Sequence, residues 1–319
     1  MRVHAWYRAL LLAGLLLAVA LALISVHLRL VNSGLGCTDW PDCYGNLARS
    51  AEFGTAGPFK ELAVRAHRVL ASVLGLLVLA VLALSLWLRV LRVPAGLLFG
   101  VMLLLAALGR WSAGLNLPGI VMANFAGGLL MIALLWFLWR SFFTAEPAPA
   151  AAVHRLAGIA TVMLSIQMGL GGLMSAFFAG LACGPAFDCA APWSPGIPLE
   201  VLSGLFRPLE LDATGRVLIS SDLAGLHMTH RMLGFALVPV FCALAYLLAR
   251  SRRRALAVTM LALTVLSGLG GVMTVRLALP PLMVLAHYAI ALGLLLTALS
   301  AWHTGSAACD QTGSTRAAQ

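Results

Sequence analysis

Charge is scarce in this chain. Only 10% of its 319 residues are charged and 61% are hydrophobic, which excludes a soluble domain because water would face too much apolar surface. Other absences narrow the chemistry. The chain has no phosphate-cradling glycine loop, no nucleotide fingerprint and no serine–histidine–acid signature, which removes nucleotide-driven and triad-hydrolase functions. None of the six cysteines forms a Cys-x-x-Cys pair, the spacing more usual in a membrane disulfide exchanger.

What the chain has in abundance is long apolar runs. A helix needs ~20 residues to cross the hydrocarbon layer, and uncharged runs of that order fall at about 9–28, 69–88, 93–113, 119–139, 156–178, 225–249, 255–275 and 281–302. The expectation is an all-α polytopic membrane protein with eight transmembrane helices. The net charge of +10 does not indicate nucleic acid, because the arginines stand at the ends of apolar runs, where they anchor at headgroups.

Short-loop charge sets the expected orientation. Arg89 and Arg92, Arg140, and the group Arg250, Arg252, Arg253 and Arg254 mark the cytoplasmic side. Both termini are then cytoplasmic, and the long connections at about 29–62 and 179–222 face outward. Arg2 and Arg8 precede the first apolar run as in a signal peptide, but no small-x-small cleavage site follows cleanly.

The two outward connections read alike. Gly34-Leu35-Gly36-Cys37 is followed by five residues and Cys43, and Gly180-Leu181-Ala182-Cys183 by five residues and Cys189, with Asp42 and Asp188 before the second cysteines. Such agreement argues for an internal duplication as two parallel four-helix repeats. A second offset, 163, relates His67-Arg68 to His230-Arg231, Pro118 to Pro281 and Asn124 to His287. The chain then divides into an N-terminal half at 1–144, a Pro/Ala linker at 145–153, a C-terminal half at 154–303 and a disordered tail at 304–319.

Cys37 with Cys43 and Cys183 with Cys189 lie on the oxidising face in this topology, which favours disulfides. They either staple the loops or take part in redox chemistry. Cys242, inside a helix, reads as a small core residue, and Cys309 in the tail has no assignment. Ionisable residues inside membrane helices point to function. His230 and His287 lie at matched depth, as a bis-histidine haem requires, and Arg231 and Arg276 are placed to meet haem propionates. His67 has Asn124 where His230 has His287, and an amide is a poor iron ligand. His227 reads either as lining the pocket mouth or as a loop-edge histidine. His27 ends the first helix and has Leu173 as its counterpart; His4, His154 and His303 read as interfacial.

With these residues in place, the chain resembles the haem A synthase family, eight-helix membrane proteins that convert haem O to haem A for cytochrome oxidase. The resemblance rests on Ser33-Gly34-Leu35-Gly36-Cys37 to Cys43, His67-Arg68, the second cysteine loop, His227-x-x-His230-Arg231 and His287. It implies haem b held by His230 and His287 in the C-terminal half, and haem O as substrate beside His67, with Cys37 and Cys43 also implicated. The implied reaction is oxidation of a porphyrin methyl to formyl. Two positions depart from the family: its fourth histidine falls on Asn124, and its glutamate three residues before the first histidine falls on Val64.

The implied setting is multi-pass in the inner (plasma) membrane. Its partners are the lipid bilayer, a haem O supplier and cytochrome oxidase assembly factors, with a homo-oligomer left open and no nucleic acid. The alternatives are a catalytically degenerate haem-binding assembly factor and a membrane thiol–disulfide oxidoreductase.

Overall fold

The computed structural model describes residues 2–35, 37, 39–48, 58–111, 117–143, 149–194, 196 and 199–303. The tail at 304–319 with Cys309, and 144–148 of the linker, lie outside the described residues. Nine α-helices occur among those described: α1 Arg2–Asn32, α2 Pro58–Leu88, α3 Arg92–Trp111, α4 Pro118–Phe143, α5 Ala151–Ala176, the short α6 Leu199–Ser203, α7 Ser221–Arg250, α8 Arg254–Arg276 and α9 Pro281–Trp302. All but α6 are long and apolar enough to cross a membrane. Helix is the natural answer for such runs, since hydrocarbon offers no partner for a backbone N–H or C=O.

Local chemistry sets several helix starts. Pro58, Pro118 and Pro281 open α2, α4 and α9, a first-turn position where the missing N–H costs nothing. Ser220 caps α7, its side chain accepting from Leu223 N at 3.3 Å. Helices α2 and α7 begin 163 positions apart, as do α4 and α9.

The long helices pack as two four-membered rings. Helix α1 packs on α2, α2 on α3, α3 on α4 and α4 back on α1; α5, α7, α8 and α9 close in the same way. The rings meet where α4 packs on α5 and where α9 packs on α1 and α4. At this seam the rings of Phe125 and Tyr288 lie 6.0 Å apart, and these positions are again separated by 163. Trp136 Nε1 donates across the seam to Ser300 Oγ at 3.1 Å, and Ser300 Oγ donates to Leu296 O at 2.7 Å. The buried core runs through both rings, with Tyr7, Leu11, Ile132, Leu135, Phe241 and Leu244 among its fully enclosed side chains.

The two long connections lie at one end of the bundle and are stitched together. Leu47 N donates to Gly215 O and Val217 N to Gly45 O, both at 2.9 Å, and Asn46 Nδ2 donates to Thr214 O at 3.2 Å. Trp40 Nε1 donates to Ala278 O at 3.1 Å, tying the first connection to the end of α8. Gly34 adopts φ +106°, and a Cβ there would stand 3.1 Å from Cys43 O, so the turn into the cysteine loop needs glycine.

Candidate functional site

The first half places His67 nine residues after the start of α2 and Asn124 six residues after the start of α4; both are half-buried. His67 Nε2 lies 2.9 Å from Ser25 Oγ of α1, and Ser25 Oγ also donates to Leu21 O at 2.9 Å. A hydroxyl has one proton, so with that proton on Leu21 O the oxygen accepts from His67, and Nε2 carries the ring hydrogen. Glu61 pairs instead with Arg65 on the exposed face of α2. Val64, one turn before His67, brings no carboxylate.

In the second half, His230 stands nine residues into α7 and His287 six residues into α9, the placements of His67 and Asn124. Their surroundings differ. Nδ1 of His230 and Nδ1 of His287 are both enclosed and make no well-formed hydrogen bond, although the backbone of Gln167 bears on the first ring and that of Ser267 on the second. Each buried polar atom left so costs ~1–3 kcal/mol. Gln167 of α5 donates through Nε2 to His230 O at 2.9 Å and lies 3.4 Å from His230 Nε2, while its Oε1 is buried and unpartnered.

Glycines make room for both rings. A Cβ on Gly171 would stand 3.2 Å from His230 Cε1, and Cβ atoms on Gly270 and Gly271 would stand 3.4 Å from His287 Nδ1 and 3.3 Å from His287 Cε1. The His230 ring lies within electrostatic reach of His287 and His227. Two imidazoles from facing helices of one bundle, with no carboxylate bearing on either ring among the described residues, form a donor set that suits an iron porphyrin.

The neighbours of this pair hold the long-loop end together. His227 is fully buried, and its Nδ1 lies 2.9 Å from Ala179 O, where it donates. That places it in the wall between α7 and the second connection, not at a loop edge. Arg231 donates through Nη1 to Gly184 O at 2.9 Å and through Nη2 to Cys183 O at 3.0 Å, with its guanidinium 5.5 Å above the Phe187 ring. It grips the second cysteine loop from within α7. Arg276 is exposed at the end of α8.

Cys37 pairs with Cys43 and Cys183 with Cys189. The four thiols are therefore spent as two disulfides. Cys242 is free and exposed, not the core residue its helical position suggested. His154 lies with Nδ1 3.0 Å from Trp302 O, an end-of-helix structural contact. The His303 ring meets Phe137 at 5.6 Å.

Three residues escaped the sequence reading: Ser25, Gln167 and Arg29. For Ser25 a signal was available. The cysteine loops are offset by 146, and that offset carries Ser25 onto Gly171, the two residues that face the corresponding histidines His67 and His230. Arg29, in the last turn of α1, has its Nη1 buried without a partner. The ionisable groups that bear on it are Tyr44 and Tyr288. Tyr44, in the first connection, has its phenol pushed up to about 12 by burial.

Eight spans, two loop disulfides and a half-buried imidazole pair in the second ring define a polytopic membrane protein with a candidate haem-binding pair. The chain belongs to the cytochrome oxidase assembly protein family, whose profile matches residues 8–299. It is also similar to the heme A synthase of Shewanella oneidensis, with 30% identity over 320 residues covering 92% of this chain and 96% of that protein.

Proposed function

We propose that the chain is a haem A synthase-type membrane oxidoreductase that oxidises a methyl of haem O to formyl. Haem b is held by His230 and His287, and the substrate lies beside His67. The observation that carries this reading is the pair of enclosed imidazole nitrogens on α7 and α9 that make no well-formed hydrogen bond. Family membership and the likeness to a heme A synthase add support. When bound, the iron supplies one-electron transfer.

The protein's own groups then have distinct tasks. His230 and His287 would hold the haem iron through their ring nitrogens, and Gly171, Gly270 and Gly271 let the rings approach the helix backbones. Gln167 orients α7 at His230 through its bond to the His230 carbonyl. Arg231 has given two N–H groups to the Cys183 loop and keeps the rest of its fork for a propionate; Arg276 offers an exposed cation at the same end. In the first half His67 must leave Ser25 before Nε2 can meet a metal. Cys37 and Cys43 lie above that half. The halves act as parallel repeats, with both termini cytoplasmic and the long connections outside.

A second reading is favoured by the His67–Ser25 bond together with Asn124 and Val64: a haem-binding assembly factor whose first half no longer does chemistry. Co-expression with a haem O source followed by haem extraction separates the two. Haem A in the extract supports the enzyme; a single low-spin b haem without formyl product supports the binding protein. In either case His230→Ala and His287→Ala each abolish the low-spin b spectrum while His67→Ala leaves it. Loss of that spectrum in His67→Ala alone would overturn the assignment of the halves.

A further inference from the structure

Among the described residues, the seam between the rings holds a cation on which no carboxylate bears. Arg29 reaches it from the last turn of α1, its Nη1 enclosed and unpartnered. The residues that bear on it electrostatically are Tyr44, from the first connection, and Tyr288, next to His287 on α9; neither is a carboxylate. The negative end of the α1 dipole offsets part of the charge. A buried guanidinium still needs a paired acceptor, because desolvating an ion costs several kcal/mol when its hydrogen bonds are left open.

Neighbouring residues place Arg29 between the two halves. Tyr44 places its hydroxyl against Gly180 of the second connection, where an added Cβ would stand 3.0 Å from it and crowd the phenol. Arg29 is four residues beyond Ser25 on α1, hence on the same face one turn nearer the long-loop end, and Ser25 touches His67. One side of Arg29 therefore belongs to the first-half pocket, and Tyr288 brings it to the second.

The geometry points to Arg29, with Tyr44 and Tyr288, as a carboxylate-receiving site for a porphyrin propionate at the seam between the halves. A guanidinium takes a carboxylate through a charge-assisted fork, and the two phenols supply further donors. This rests on the proposed function, since it takes the ligand to be a porphyrin.

The test uses the full chain purified without porphyrin and titrated with iron protoporphyrin IX and with its dimethyl ester, in which both carboxylates are capped. The wild-type protein binds the free acid about tenfold or more tightly than the ester, the scale of a hydrogen bond to a charged group. Arg29→Gln lowers that discrimination by weakening the acid while leaving the ester unchanged, the remainder resting on Arg231 and Arg276, and Arg29→Lys, which keeps the charge, lowers it less. Equal weakening of both ligands in Arg29→Gln, or undiminished discrimination, overturns the site while leaving the proposed function standing. If neither ligand binds the wild-type protein, the proposed function falls and the site with it.

The source of the carboxylate is read in two further backgrounds. Discrimination that survives His287→Ala and vanishes in His67→Ala assigns it to a first-half porphyrin, and the reverse pattern to the second-half haem; both support the site. Discrimination that survives both changes, with Arg29 intact, overturns it.

Discussion

His67 Nε2 lies 2.9 Å from Ser25 Oγ, whereas the corresponding pair in the second half is His230 beside a glycine, Gly171. The first histidine is tied to a hydroxyl of its neighbour helix; the second meets the longer-range amide of Gln167 through Nε2 at 3.4 Å. Ser25→Ala frees His67 Nε2 at a helix position where alanine is favoured. With excess haem, the variant is expected to bind more haem per chain than the wild type by pyridine haemochrome, and His67→Ala added to it removes the gain. Equal stoichiometry in Ser25→Ala and wild type would mean that the bond does not hold His67 back.

Gly171 is required by the His230 ring. A Cβ there stands 3.2 Å from Cε1, and moving a packed ring to accommodate it costs roughly 1–3 kcal/mol. Gly171→Ala is therefore expected to weaken retention of low-spin haem tenfold or more with the protein still folded. Gly268→Ala serves as the control, because its Cβ meets nothing within 4 Å. Similar haem retention in the two variants would remove Gly171 from the site.

The bilayer made much of this fold legible in advance. Each uncharged run of about 20 residues became a membrane-crossing helix, because hydrocarbon thickness fixes the length and backbone hydrogen bonding leaves few alternatives. Helix starts were less legible. Helix α2 begins at Pro58, well before the charge-free run, since Lys60, Glu61, Arg65 and Arg68 all suit a helix that continues past the apolar layer. The histidine register could be read from the repeated offset. Gln167 and Arg29 could not be placed because α1 and α5 are apolar all round, so periodicity does not say which face meets α2 or α7; Ser25 was reachable only through the offset of 146 between the cysteine loops. His227 was settled only by a carbonyl 48 positions away, that of Ala179.

Outside the spans, Glu200 on α6 has its pKa raised, first by the hydrogen bond that its protonated form donates to Asp222 and then by that carboxylate's charge. A raised carboxyl stabilises the fold when protonated. Its contribution is full below the ordinary glutamate range and is lost as pH rises through the raised value. Glu200→Gln keeps a neutral donor at every pH, so it is expected to raise Tm at pH 7 and leave it nearly unchanged at pH 4. Because Glu200 is exposed, added salt shrinks the difference. A Tm gain as large at pH 4 as at pH 7 would rule out charge repulsion as its source.

Asn124 and Val64 decide whether the first half can be made to resemble the second. Asn124 occupies the α4 position that His287 occupies in α9, each six residues after the opening proline, so Asn124→His places an imidazole at the same depth opposite His67. Val64 is three residues before His67 on α2 and on a neighbouring stripe of the helix, which puts a carboxylate from Val64→Glu within reach of the same pocket; the existing Glu61 is turned outward to Arg65. The combined variant is expected to increase haem A in extracts from cells supplied with haem O, and adding Ser25→Ala should increase it again by releasing His67. Either change alone should give less than both, since a metal ligand and a proton acceptor serve separate steps. If the triple variant binds a second haem but extracts contain no more haem A than those from the unmodified chain, the first half lacks more than these three side chains, and the haem-binding reading of the protein is the one that stands.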